Sequence, residues 1–500
     1  VRASLSHIKV PNAPQVAAVV FAAAVFYGST RTFVLTGQPP LLLPTFAALL
    51  CAIFLLGLRV GSDPLHSMAR LGFHVGLFAY FLAMPLLYAE TIDRSIPGPV
   101  HNTVGWMLIM VLLGFEGGYV LKKFVWRRSW RAHGYVQLKG RNRRIVGALL
   151  CVGLLTWFLT AIDYSIAARV SVWDSLFSMR GRFDTGFQSP LTQLGQWSYL
   201  LGGGLYLATA VSFLFVSSRI KQALPVTLLC WGILILCAVL GFLSASRALF
   251  LYSFAPLVLA SWINVSKIEM GKALRALLIF LAACVLVAAW SVMSAIRSQA
   301  VPDYETAWEN VKPLETARGA FDIYSSCAQI VENFPDQIEY EYGRSLIPLA
   351  LGWVPRSLWP DKPYPFSIYA NTIKGETLED RSASIAVGLA GEGYGNFGLP
   401  GVLLWGMLMG FACRVADDYL KRFDASDPLR LFLGASICIW AAMIVRGGVP
   451  EMFYMGLQVN AFPIILSIVL NAMENQSRRT LKTGLFASPR LLSATRSLLP

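Results

Sequence analysis

The chain has 500 residues, 56% of them apolar and 14% charged, with a mean hydropathy of +0.57. These proportions exclude an ordinary soluble domain and indicate an all-α protein that crosses a membrane many times, since each crossing needs about 20 consecutive apolar residues. The net charge of +14 does not indicate nucleic acid, because the basic residues sit in short connections between apolar runs, where they set membrane orientation.

In chain order, twelve runs have the length and composition of spans: 13–34, 40–58, 71–89, 103–121, 145–163, 193–216, 223–243, 248–265, 273–296, 398–414, 429–445 and 452–472. The connection 122–144 holds nine Lys/Arg and no acid, which assigns it to the cytoplasm. Alternation then puts 59–70, 217–222, 266–275 and 415–430 on the same side, each of them carrying Lys or Arg, together with both termini. The opposite, periplasmic side receives 90–102, 164–192, the tight turn near 244–247, the long connection 297–397 and the turn 446–451. Residues 297–384 carry thirteen acidic and eight basic residues, the reverse of the inner connections.

The expected organisation is a bundle of helices 1–9 over residues 1–296, a large periplasmic loop subdomain over 297–397, helices 10–12 over 398–475, and a basic cytoplasmic tail over 476–500. Within the loop, 304–311 and 317–331 have helical apolar spacing. The apolar run 347–359 is too short to span and reads as an interfacial or re-entrant piece. No cleavable signal peptide is expected at the first span.

The eight cysteines form neither a disulfide framework nor a metal-binding spacing. HExxH, Walker A and GxSxG motifs do not occur, so no metal or cofactor is expected. The chemistry must therefore come from charged residues at the outer ends of spans. Arg247 is the one charged residue between Ala223 and Ser266, in a Ser244-Ala245-Ser246-Arg247 turn that begins a helix. A guanidinium beside a helix N-terminus suits a phosphate group, although a lipid-snorkelling arginine fits the same placement. Arg446, followed by Gly447-Gly448-Val449-Pro450-Glu451, and Arg297 at the exit of span nine lie at the same depth. For Arg446, a structural ion pair with Glu451 is the competing reading. Three arginines on the side that usually lacks them indicate an anionic ligand, for which a lipid-linked pyrophosphate is the natural candidate.

Glu392 stands in Gly391-Glu392-Gly393-Tyr394-Gly395-Asn396-Phe397-Gly398, expected just outside a span. Glycines this dense permit close backbone approach, and an acid near hydrocarbon suits general-base work, unless it merely pairs with an arginine. In Trp353–Pro363, prolines fix the chain, Trp359 suits a sugar face or a membrane interface, and Arg356, Asp361 and Lys362 are polar handles. Arg180 and Arg182 in 164–192 are further candidates for glycan contact.

On these residues the chain resembles the Wzy-type O-antigen or exopolysaccharide repeat-unit polymerases, which are integral membrane glycosyltransferases. The resemblance rests on the many spans, the Ser-Ala-Ser-Arg247 turn, Val354-Pro355-Arg356-Ser357-Leu358-Trp359-Pro360-Asp361-Lys362-Pro363, and Gly391–Gly401. It implies a GT-C-like fold in the bacterial inner membrane that joins undecaprenyl-pyrophosphate-linked oligosaccharides on the periplasmic face, without metal or nucleotide sugar. Arg247 with Arg446 or Arg297 would hold the pyrophosphate, Glu392 would act as base, and Arg356, Trp359, Lys362 and Tyr394 would contact glycan. The implied partners are a repeat-unit flippase and a chain-length regulator, besides membrane lipid. The related O-antigen ligases are expected to carry a histidine in the large outer loop. No histidine follows His133 here, which favours polymerase over ligase; a flippase or transporter is the remaining alternative.

Overall fold

The computed structural model describes residues 67–83, 97–125, 140–168, 171–172, 203–217, 223–243, 247–265, 281, 285, 288–289, 291–293, 323–352, 354, 358–370, 373, 386–423 and 427–486. The expected spans 13–34 and 40–58, most of 273–296, and Arg180, Arg182, Arg297 and Arg356 lie outside them. So does the expected helix 304–311.

The described residues are helical, with no strand. In chain order they form α1 (Met68–Leu77, continued by a π-helical turn Phe78–Ala83), α2 (Gly98–Val125), α3 (Gly140–Ala168), α4 (Gly204–Ser217), α5 (Leu224–Leu243) and α6 (Arg247–Val265). Then come α7 (Ile323–Asn333), a 3-10 turn Arg344–Leu346, α8 (Ile347–Leu351), α9 (Phe366–Tyr369), α10 (Gly388–Leu420), α11 (Pro428–Arg446) and α12 (Val449–Phe486). Six of the helices are long and apolar enough to cross a membrane: Gly98–Lys122, Arg144–Ile162, Leu224–Phe242, Gly388–Leu420, Pro428–Arg446 and Val449–Leu470. The protein is therefore a helical membrane protein.

Glycine decides which helices touch. In lipid the hydrophobic effect does not drive helices together, so contact depends on small residues that let backbones approach. Gly114 and Gly118 of α2 meet Gly406 and Gly410 of α10 in a reciprocal pair of small-xxx-small stripes. A Cβ on Gly118 would lie 1.9 Å from Met407 O, and one on Gly410 would lie 1.9 Å from Phe115 O. The same spacing recurs where α1 meets α11, with Gly72 against Cys438 O and Gly76 against Ala442 O. Around these seams Phe73, Leu77, Leu108, Leu112 and Phe115 are fully buried, and the rings of Phe73 and Phe115 stack at 3.8 Å.

α10 differs from its expected course. At 33 residues an unbroken helix would be about 50 Å long, well beyond the roughly 30 Å of a bilayer core. It breaks at Phe397 (φ −146°) and Gly398 (φ 66°, ψ −153°), the second a backbone conformation open to glycine. A Cβ on Gly401 would lie 2.2 Å from Gly393 O, although residues eight apart in one helix are about 12 Å apart along the axis. The arm Gly388–Asn396 thus folds back on the start of the long arm. The expected boundary of 397/398 coincides with the break, and Glu392, expected just outside a span, lies within the short helical arm before it. Two other expectations shift: the helix continues to Leu420 instead of ending at 414, and α12 runs through Phe486, well into the expected tail.

The outer loop also takes shape. The expected helix 317–331 is observed as Ile323–Asn333. At the start of 347–359 a five-residue helix, Ile347–Leu351, is held against α12 because the Tyr454 hydroxyl donates to Pro348 O (2.8 Å) and Leu349 O (3.1 Å).

Candidate functional site

Charged side chains gather at the two ends of the helices, with apolar stretches between them. At one end, Asp417 accepts from the backbone N–H of Ala69 (2.8 Å) and Arg70 (3.3 Å) and from the Tyr119 hydroxyl (2.9 Å), capping the start of α1. Arg70 grips Glu116 with two donors (3.0 and 2.7 Å), His74 Nε2 lies 3.0 Å from Glu116, and Asp418 pairs with Lys122, Arg414 and Lys421. Arg70 and Arg414 also stand 5.3 and 5.0 Å from the Tyr119 ring. Residues from the connections expected in the cytoplasm thus meet one another. These charges are mutually paired, which identifies the cluster as a structural clamp.

The other end collects the residues expected on the periplasmic side. His101 Nδ1 and the Tyr324 hydroxyl are 3.0 Å apart, joining the start of α2 to α7. The short arm of α10 is the hub. Its C-terminal carbonyls, which lack partners within the helix, are satisfied by the loop: Glu341 N–H donates to Gly395 O (3.0 Å) and Tyr342 N–H to Asn396 O (3.1 Å). The Asn396 side chain accepts from Gly343 N–H (2.9 Å) and pairs with Ser345 Oγ. A Cβ on Gly395 would fall 2.0 Å from Phe366 Cζ, and one on Gly391 2.7 Å from Ile330 Cδ1. The Gly-Glu-Gly-Tyr-Gly-Asn-Phe-Gly motif therefore owes its glycines to α7, α9 and the long arm packing directly on its backbone.

Glu392 is the acid of this hub, and it is fully buried. Its Oε2 accepts from the Val449 N–H at the start of α12, while Oε1 is buried with no hydrogen-bond partner. A Cβ on Gly448 would lie 3.4 Å from Glu392 Oε2 and 3.8 Å from Glu451 Oε2, so two carboxylates flank one glycine. Ser367 Oγ of α9 donates to Glu451. On the loop side, burial and then the Glu341 carboxylate push the Tyr369 phenol above its ordinary range.

Of the sequence candidates, Glu392 lies across Gly448 from Glu451, and Arg446 ends α11 two residues before that glycine. Arg247 is the first residue of α6. Tyr394, nearly buried, packs edge-on against Tyr340 at 6.1 Å. Lys362 turns inward, donating to Gly352 O (3.1 Å) and Val354 O (2.9 Å), so it closes its own loop; Trp359 remains partly exposed beside it. Ser367 had no sequence signal. Glu451 had one, its place after Gly447-Gly448-Val449-Pro450 opposite Arg446. Among the described residues no cluster of three metal-binding side chains occurs. No family model, curated protein or solved structure matches the chain.

Proposed function

We propose that the chain is a glycosyltransferase of the bacterial inner membrane that joins undecaprenyl-pyrophosphate-linked oligosaccharides into a longer surface polysaccharide, working on the periplasmic face. The motif resemblance supplies the reaction class. The observation that supports it most is the Glu392 carboxyl, held by one oxygen at the α12 N-terminus and unpartnered at the other, across Gly448 from Glu451. A buried polar atom without a partner costs free energy, and such atoms concentrate where a ligand or a proton is handled.

In this scheme Oε1 of Glu392 accepts the proton of the acceptor sugar hydroxyl, whose oxygen bonds to the anomeric carbon of the donor. The bond from that carbon to pyrophosphate breaks, and Arg446 and Arg247 stabilise the charge on the departing lipid pyrophosphate. Preorganised cations at a leaving group contribute a few kcal/mol each. Glu392 has no solvent exposure, so the acceptor reaches it only when α9 or the 341–346 turn lifts from the hub. Trp359, with Arg356, would hold glycan beyond the reacting bond. A repeat-unit flippase and a chain-length regulator are the partners such an enzyme needs.

The test is a gel of lipid-linked and surface glycan from cells lacking the gene, complemented with wild type or Arg247→Ala. A single repeat replacing the ladder in the deletion, and no ladder restored by the variant, are the expected results. Full-length chains left unattached would indicate a ligase instead, and an unchanged ladder would refute polymerisation.

A further inference from the structure

A second site lies away from the hub, on the flank of the bundle between α3, α4 and α5. There a cleft of about 570 Å³ is lined by Arg144, Gly147, Leu150, Cys151, Phe215 and Cys230, with Val226 and Leu229 at its edge. Its volume falls within the range of about 300–1,000 Å³ that holds small ligands. Leu150, Phe215 and Cys230 form buried walls, whereas Arg144 and Cys151 are exposed at its opening.

Two features separate this cleft from an ordinary gap between helices. A Cβ on Gly147 would meet nothing within 4 Å, as at Gly117 and Gly232, and of these three Gly147 lines the cleft. Gly147 thus leaves space that the protein itself does not use. Arg144 is the second feature. It is the one charged residue of the lining, it follows Arg141 and Arg143 in sequence, and it stands at the first turn of the apolar stretch Arg144–Ile162. That is the depth at which a phosphate headgroup sits when its chains enter the hydrocarbon. Apolar walls with a single cation at the rim match one kind of ligand, an acyl chain joined to an anionic head.

We propose that the α3–α4–α5 cleft is a binding site for an anionic phospholipid, one acyl chain lying over Gly147 against Leu150 and Phe215 and its phosphate held by Arg144. The site is independent of the glycosyl-transfer reading and shares no residue with it. A bilayer phospholipid is the occupant because the opening is lined by exposed, span-embedded positions and the basic flank Arg141–Arg144 attracts anionic headgroups.

The experiment uses the full chain purified in a neutral detergent, with phosphatidylglycerol, phosphatidylcholine or glycerol phosphate added and the thermal midpoint and lipid retention by native mass spectrometry recorded. Wild type should be stabilised by phosphatidylglycerol and retain it, and phosphatidylcholine and glycerol phosphate should do neither. Arg144→Gln should weaken retention about fivefold, the scale of one basic residue at a lipid surface. Gly147→Leu should abolish retention by filling the cleft while leaving the lipid-free midpoint at or above that of wild type, since leucine improves helix propensity and meets no neighbour. Unchanged retention of phosphatidylglycerol in both variants would overturn the site. Equal stabilisation by glycerol phosphate would overturn the acyl chain's part in it. If Gly147→Leu lowers the lipid-free midpoint, Arg144→Gln alone decides, and wild-type retention in that variant refutes the proposal.

Discussion

Replacing Asp417 with alanine should be the most damaging single change at the clamp end. The carboxylate is buried and accepts three hydrogen bonds, from Ala69 N–H, Arg70 N–H and the Tyr119 hydroxyl. Each buried donor left without a partner costs about 1–3 kcal/mol, and losing a helix N-cap costs about 1 kcal/mol. Because the two backbone donors are part of that cap, the terms overlap, and the sum is roughly 3–5 kcal/mol. Tyr119→Phe removes one bond without orphaning a backbone group and should cost about 1 kcal/mol. Asp417→Asn keeps an acceptor oxygen and should fall between the two. The buried Cys413, one turn from Asp417, supplies the assay: with the other cysteines replaced by alanine, a thiol-reactive dye reports its exposure on heating in detergent. The midpoints should fall in the order wild type, Tyr119→Phe, Asp417→Asn, Asp417→Ala. In the double variant Tyr119→Phe should add less than its separate cost, because the two residues share a bond. A midpoint for Asp417→Ala equal to that of wild type would refute the assignment of Asp417 as the cap that ties α10 to α1.

Two further outcomes follow from the glycine seams and the hub. Gly410→Leu drives a side chain into Phe115 O and should abolish monodisperse elution, whereas Gly117→Leu, with nothing within 4 Å of the new Cβ, should elute as wild type; equal behaviour of the two would contradict the α2–α10 seam. Asn396→Leu removes the acceptor for Gly343 N–H and the partner of Ser345, so limited proteolysis should open a new cleavage between Tyr340 and Leu346. Protection unchanged from wild type would show that Asn396 does not dock this loop.

That the chain is a helical membrane protein was legible because length and apolar composition are what a bilayer demands, and six of the described helices meet that demand; that α1, α2 and α10 would meet at Asp417 and Asp418 was not. The seams were legible in principle as glycines four apart, but such spacings are frequent in oily sequence, and nothing local says that Gly118 is packed while Gly117 is open. Glu392 stood out by its glycines, yet the fold-back of its arm was not visible, because it depends on Gly393 and Gly401 touching across a break that only Gly398 marks. Lys362 stood out as a polar handle by residue type, and Tyr394 through the motif resemblance. Their partners, the carbonyls of Gly352 and Val354 and the ring of Tyr340, come from loop geometry that composition does not encode.

The most direct measurement is the glycan ladder made by Glu392→Gln. A glutamine can still accept from the Val449 N–H, so the α12 cap, the fold and the thermal midpoint should persist while the carboxylate is lost. If Glu392 is the proton acceptor, a stable Glu392→Gln protein makes only single repeats. A normal ladder from that variant would contradict the scheme and leave Glu392 as the cap of α12 and nothing more.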